Sequence, residues 1–152
     1  MLKYVNHDIV FQEFPDEVTL ALNLSRCPNA CPGCHSEFLK DDTGEVLTEE
    51  RLSALIEDYS GEITCVGFMG GDGDPASVAR LARFVRDAGL KAGWYSGRQE
   101  LPEAFDAAAF AYVKLGPWRS ELGPLSDPRT NQRLYRVEAD GTLSDITARF
   151  RR

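Results

Sequence analysis

Hydrophobic positions along the chain recur with two different periods, and stretches of the two kinds alternate. Short apolar runs with alternating or β-branched residues predict β-strands, whereas apolar residues three and four positions apart predict amphipathic helices. Strands are predicted over residues 18–24, 63–69, 91–95 and 111–115, and helices over residues 49–59, 75–88 and 101–109. This alternation favours an α/β fold with a parallel sheet, whose ligands bind at the carboxyl ends of the strands.

Capping and turn residues set the predicted boundaries. Thr48 and Asp74 precede the first two helical stretches as N-caps, and Pro75 suits the first helical turn. Beyond Gly116 several prolines and polar residues predict a loop, after which residues 133–147 resemble a hairpin that turns at Asp140–Gly141. The chain is therefore expected to end in a hairpin beside the sheet.

Length and charge exclude several classes of protein. The 152 residues, of which 43% are hydrophobic, predict a single domain over residues 1–152. The net charge of −7 argues against a nucleic-acid partner, because such proteins gain affinity from clustered lysine and arginine. No signal peptide and no apolar run of about 18 residues is present, so we expect a soluble, cytoplasmic protein without membrane contact.

Three of the four cysteines lie within eight residues, at the end of the first predicted strand. Cys27, Cys31 and Cys34 follow a Cys-x3-Cys-x2-Cys spacing, and in a cytosolic protein such clustering indicates metal binding rather than disulfides. Three thiolates can hold three irons of a 4Fe-4S cluster and leave the fourth iron open to a small chelator. Cys65 lies inside an apolar strand and is expected to be a core residue.

A zinc site is the alternative interpretation of the same cysteines. Cys27, Cys31, Cys34 and the adjacent His35 could supply three sulfurs and one nitrogen to a tetrahedral zinc ion. In that case the chain would be a non-catalytic module that docks on a partner.

The cysteine spacing resembles the signature of the radical S-adenosylmethionine superfamily. The resemblance implies an incomplete β/α barrel, a 4Fe-4S cluster on the three cysteines, and reductive cleavage of S-adenosylmethionine to methionine and a 5'-deoxyadenosyl radical. Gly70-Gly71-Asp72 resembles the superfamily's glycine-glycine-acid segment, which binds the cofactor's ammonium group. Because Gly73-Asp74 stands before Pro75, either Asp72 or Asp74 could supply the acid. The residues expected to contact the cofactor are Gly33, Cys34, His35, Gly70, Gly71, Asp72 and Ser96.

Further motifs resemble the activating proteins of anaerobic ribonucleotide reductase. These are the Cys-Pro-Gly-Cys sequence ending at Cys34, the segment Tyr95-Ser96-Gly97, and Asn131-Gln132. The resemblance implies hydrogen abstraction from a glycine of the reductase's large subunit, with an electron donor such as flavodoxin or ferredoxin. His35 and Arg26 depart from the residues frequent in that family. An activase of another glycyl-radical enzyme, or a radical enzyme that acts on a small molecule, remains the alternative within this chemistry.

Overall fold

A computed structural model provides the structure of the chain. It describes residues 2–11, 14, 17–24, 45–71, 74–98, 101, 107–116, 121–122, 130–138 and 140–147. The strands are β1 (Lys3–Val10), β2 (Thr19–Leu24), β3 (Glu45–Val46), β4 (Cys65–Met69), β5 (Lys91–Tyr95), β6 (Tyr112–Leu115), β7 (Arg133–Val137) and β8 (Leu143–Asp145). The described α-helices are α1 (Glu49–Asp58) and α2 (Pro75–Asp87), and a 3-10 turn covers Ala107–Ala109.

All eight of these strands belong to one mixed sheet, in the order β3-β1-β2-β4-β5-β6-β7-β8. The four central strands, β2, β4, β5 and β6, run parallel to one another. The outer strands are antiparallel to their neighbours on both sides. The four central strands are those predicted from the hydrophobic pattern, with boundaries that differ by up to two residues.

The prediction of an incomplete β/α barrel is wrong. A barrel of this kind needs a helix in each connection between parallel strands, whereas the described residues contain only two α-helices and one mixed sheet. The stretch 101–109, predicted as a helix, is a 3-10 turn over Ala107–Ala109, and residues 102–106 lie outside the described part. Four further strands extend the sheet beyond its parallel centre. Strands β1 and β3 were not predicted.

The local signals at the helix ends are confirmed. Thr48 Oγ1 accepts a hydrogen bond from Arg51 N at 3.0 Å and caps α1. Asp74 Oδ1 accepts one from Ser77 N at 3.3 Å and caps α2. The predicted terminal hairpin is present as β7 and β8, which pair in antiparallel fashion on either side of the Asp140–Gly141 turn. Neither described helix is long and apolar enough to span a membrane.

One face of the sheet, the helix face, packs against α1 and α2 to form the main core. It carries the fully or nearly buried side chains Leu20, Leu22, Leu24, Val66, Phe68, Ala92, Trp94, Val113 and Leu115. The helices add Leu52, Leu55, Val78, Leu81, Ala82 and Val85. Burial of this continuous apolar surface is the principal source of stability for the fold.

The opposite face, the second face, is organised in three rows of side chains that run across the strands. Strand register places Asn6, Asn23, Met69, Tyr95, Lys114 and Leu134 in an upper row at the carboxyl end of the parallel strands. A middle row contains Asp8, Ala21, Gly67, Gly93, Tyr112 and Arg136, and a lower row contains Val10, Thr19, Cys65 and Lys91. Residues in register across strands point to the same side of a sheet.

Phe14 covers the middle row. Its side chain is fully buried, and it stacks on Tyr112 with ring centroids 5.3 Å apart. It makes a T-shaped contact with Tyr95, with ring centroids 5.2 Å apart. A Cβ atom on Gly93 would collide with the Phe14 ring, and one on Gly67 would lie 3.1 Å from it. The two strand glycines therefore make the space that this aromatic ring fills.

Candidate functional site

The candidate site lies at the carboxyl edge of the parallel strands, where the β/α order predicts that ligands bind. Of the predicted cofactor contacts, the structure brings Gly70 and Gly71 after β4 and Ser96 after β5 to this edge. The other predicted site residues lie outside the described part of the chain: Cys27, Cys31, Gly33, Cys34, His35 and Asp72. The strands and turns next to these residues define the geometry of the edge.

The cysteine-bearing stretch, residues 25–44, connects β2 to β3. These two strands lie on either side of β1, next to Tyr4. Tyr4 is in register with Leu24, the last residue of β2, and with Glu45, the first residue of β3. Two strand spacings separate these neighbours, or about 10 Å. Both ends of the stretch 25–44 are consequently fixed at the carboxyl edge of β2, and Cys27 follows that strand's end by three residues.

A small polar cluster holds the second of these ends. Arg51 Nε donates a hydrogen bond to the Tyr4 hydroxyl at 2.6 Å, and this hydroxyl donates to Glu45 Oε2 at 3.4 Å. Arg51 Nε also lies 3.8 Å from Glu45 Oε2. The cluster links β1, β3 and α1, so the point where the chain returns to the sheet is tied to two other elements.

Gly70 and Gly71 form a turn that only glycine can adopt without strain. Their φ angles are +104° and +85°, in the region that side-chain-bearing residues rarely occupy. Gly70 N donates to Tyr95 O at 2.9 Å, and the Gly70 carbonyl accepts from Trp94 Nε1 at 2.6 Å. The turn is thus held from β5 and brings bare backbone to the carboxyl edge, as a close-approaching ligand would require.

Packing also restricts Gly71. A Cβ atom at this position would lie 2.8 Å from Val78 Cγ2 and 2.9 Å from Leu24 Cδ1. Gly61, by contrast, has a similar φ of +82° but has no atom within 4 Å of such a Cβ. Gly61 and Gly71 therefore have the same backbone constraint, but only Gly71 is crowded by neighbouring side chains.

We expect Gly71→Ala to lower the free energy of unfolding more than Gly61→Ala. Both variants incur the left-handed backbone penalty of about 1–2 kcal/mol. Gly71→Ala adds the overpacking cost of about 1–3 kcal/mol. Urea denaturation of the two variants measures the difference directly, and equal losses of stability would show that the Gly71 turn is not crowded.

Ser96 and Asp74 both take part in local capping. The Ser96 side chain is buried, its backbone N donates to Lys114 O at 2.9 Å, and its Oγ accepts from Arg98 N at 3.1 Å. Asp74 Oδ2 accepts from Ser77 Oγ at 2.7 Å in addition to the N-cap bond. These bonds engage the Asp74 carboxylate at the N-terminus of α2.

Sequence reasoning missed Lys114 in the upper row. This lysine is 9% exposed, and its Nζ lies 4.9 Å from the centroid of the Tyr95 ring. A cation over an aromatic face is stabilised most when it is withdrawn from water. A signal was present in the sequence, because lysine interrupts an otherwise apolar strand at a position that alternation assigns to the second face.

A second polar cluster, at the opposite edge of the sheet, surrounds the buried carboxylate of Glu17. Its Oε1 accepts from Thr64 Oγ1 at 2.8 Å, and its Oε2 accepts from Lys91 Nζ at 2.9 Å and the Tyr112 hydroxyl at 3.0 Å. The carboxylate thereby ties the starts of β5 and β6 to the residue before β4. An open depression of about 570 Å³ adjoins this cluster.

Cys65 and Tyr112 are held neutral in this region. Burial, followed by the hydrogen bond to Glu17, raises the pKa of Tyr112 to about 12. Burial also raises the pKa of Cys65 to about 12. Because a thiolate is the nucleophilic and metal-binding form, Cys65 is an inert core residue, which confirms the sequence interpretation.

Within the described residues, no group of three or more histidine, cysteine or acidic side chains could hold a metal ion. The sequence and the structure were also compared with known proteins. No family model, no curated protein and no solved structure matches the chain.

Proposed function

We propose that the chain is a radical S-adenosylmethionine activase that generates a glycyl radical on the large subunit of an anaerobic ribonucleotide reductase. One combination of observations carries the proposal. The Cys-x3-Cys-x2-Cys stretch begins three residues beyond β2, and the end of β2 is next to the Gly70–Gly71 turn. Two motifs distant in sequence thus start from one point on the carboxyl edge.

The assignment of roles follows the chemistry of each group. Thiolates of Cys27, Cys31 and Cys34 would hold three irons and leave the fourth without a protein ligand. The Gly70–Gly71 turn would present backbone to a cofactor at Gly70, which is only partly buried, whereas Gly71 is packed against Val78 and Leu24. Gly33, His35, Asp72 and Ser96 complete the proposed set around S-adenosylmethionine, with Asp72 matching its ammonium charge.

The cluster and S-adenosylmethionine, when bound, would supply the chemistry: one electron from a donor such as flavodoxin or ferredoxin would cleave a C–S bond to give methionine and a 5'-deoxyadenosyl radical, and the hydrogen atom of the glycine Cα would end on that radical as 5'-deoxyadenosine. The chain's own residues bind and orient these groups and exclude side reactions. The fixed ends of the stretch 25–44 support this role, because Cys27 follows the anchored end of β2 by only three residues.

The experiment that tests the function uses the full chain after anaerobic reconstitution with iron and sulfide. We expect a carbon-centred radical on the large subunit when reduced flavodoxin, S-adenosylmethionine and that subunit from the same organism are combined. Electron paramagnetic resonance detects it, and glycine deuterated at Cα in the subunit should remove the splitting from the α hydrogen. The reaction omitting S-adenosylmethionine is the control.

Other results would redirect the assignment. If a different glycyl-radical enzyme or a small molecule reacts while the reductase subunit acquires no radical, the proposed partner is wrong and the broader radical chemistry survives. If the chain takes up stoichiometric zinc and no iron on Cys27, Cys31, Cys34 and His35, the non-catalytic zinc module replaces the enzyme.

A further inference from the structure

Two asparagines on neighbouring strands, β1 and β2, form the first end of the upper row. Asn6 of β1 and Asn23 of β2 are in register, and Asn23 Nδ2 donates a hydrogen bond to Asn6 Oδ1 at 2.5 Å. Asn6 is exposed and Asn23 is partly buried. Their amide groups therefore form one hydrogen-bonded pair at the carboxyl edge, one residue before the end of β2.

The pair keeps a donor and an acceptor that no other described residue uses. Among the described residues, neither Asn6 Nδ2 nor Asn23 Oδ1 has a hydrogen-bond partner. An asparagine amide supplies two N–H donors and a carbonyl with two lone pairs, so one intramolecular bond leaves capacity on both side chains. A neighbouring donor and acceptor match the C=O and N–H groups of a peptide main chain.

Phe14 covers the centre of the second face directly below the upper row. The ring occupies the space over Gly67 and Gly93 in the middle row, and its edge contacts Tyr95. Lys114 and Leu134, at the far end of the upper row, are already buried. The part of the row that is not buried is therefore short and shallow. It begins at the asparagine pair and ends at Met69 and Tyr95, which are partly buried.

We infer that Asn6 and Asn23 form a binding site for the main chain of an extended peptide segment, which would be the glycine-bearing segment of the partner. Main-chain hydrogen bonds give affinity to an extended segment irrespective of its side chains. Such recognition suits a substrate whose reacting residue, glycine, has no side chain to bind. The choice of peptide rests on the proposed function, whereas the site itself rests on the free amide groups and the Phe14 floor.

Peptide binding tests the site without catalysis. The probe is a fluorescent synthetic peptide with the glycyl segment of the reductase large subunit, titrated into the cluster-loaded protein with S-adenosylmethionine present. We expect Asn23→Ala to weaken peptide binding roughly three- to tenfold, the effect of one neutral hydrogen bond. Asn23→Asp keeps the acceptor but loses the Nδ2 donor to Asn6 Oδ1, so it should bind the peptide more tightly than Asn23→Ala and no more tightly than the wild type.

Two further comparisons make the test specific. Asp8 lies on the same strand and face as Asn6, one row lower and next to the centre that Phe14 covers. Asp8→Ala should leave peptide affinity unchanged. A peptide N-methylated beside its glycine lacks the donor for Asn23 Oδ1. It should bind the wild type as weakly as the unmodified peptide binds Asn23→Ala, and the two changes should not add.

Equal peptide affinity of Asn23→Ala and the wild type would overturn the inference, even if the partner acquires its radical and the proposed function stands. Weaker binding of S-adenosylmethionine, rather than of the peptide, to Asn23→Ala would also overturn it. Peptide binding that depends on Asn23, with no radical formed on any partner, would support the site and contradict the proposed function.

Discussion

Replacing Cys27, Cys31 or Cys34 with alanine is expected to abolish the iron and acid-labile sulfide that the wild type takes up during anaerobic reconstitution. A cubane held by three thiolates has no spare protein ligand, so the loss of one sulfur exposes a second iron to solvent and exchange. Cys65→Ala is the matched control, because its thiol is buried in the sheet and its high pKa keeps it protonated. We expect Cys65→Ala to retain nearly the full iron content.

Iron and sulfide analysis, with the visible absorbance of the cluster, measures this prediction. Circular dichroism of each variant separates loss of the cluster from loss of the fold. Loss of iron in the Cys65 variant alone, or full iron in the Cys27, Cys31 and Cys34 variants, would contradict the ligand assignment.

Phe14→Ala is expected to lower the free energy of unfolding by about 3–5 kcal/mol, the usual cost of removing a buried phenylalanine ring. The ring is fully buried between Gly67, Gly93 and two tyrosines, and the glycines have no side chains that could move into the cavity. Phe11, which is 67% exposed, provides the control. Phe11→Ala should change stability by no more than about 0.5 kcal/mol.

Urea denaturation followed by tryptophan fluorescence gives both values. A small effect of Phe14→Ala, similar to that of Phe11→Ala, would mean that the middle row does not depend on this ring. In that case Phe14 could not act as the floor beneath the upper row, and the depth of the proposed peptide site would need another explanation.

The parallel centre of the sheet could be predicted because local signals coincide there. The central strands are short apolar runs, and the two helices between them begin after the N-caps Thr48 and Asp74. The turn at Asp140–Gly141 likewise marks the terminal hairpin. Strand β1 lacks such a signal, since apolar and polar residues are mixed on both of its faces. Its position depends on antiparallel pairing with β2, a non-local choice that periodicity does not specify.

Around the candidate site, too, some features follow from local sequence signals and others depend on strand pairing. Gly70 and Gly71 were predictable at the carboxyl edge because a glycine pair followed a buried strand. The pairing of Asn6 with Asn23 was not, since it depends on the register between two strands. Gly67 and Gly93 carried a usable signal, because glycine inside a strand often marks the close approach of another group, here the Phe14 ring.

We propose that the three clustered cysteines hold a 4Fe-4S cluster with one iron open to S-adenosylmethionine. Electron paramagnetic resonance of the reconstituted, reduced protein, recorded with and without S-adenosylmethionine, tests this most directly. We expect the signal of a reduced 4Fe-4S cluster that changes when S-adenosylmethionine is added and is absent from Cys34→Ala. A protein that binds stoichiometric zinc and shows no iron–sulfur signal, or a cluster signal that S-adenosylmethionine leaves unchanged, would contradict it.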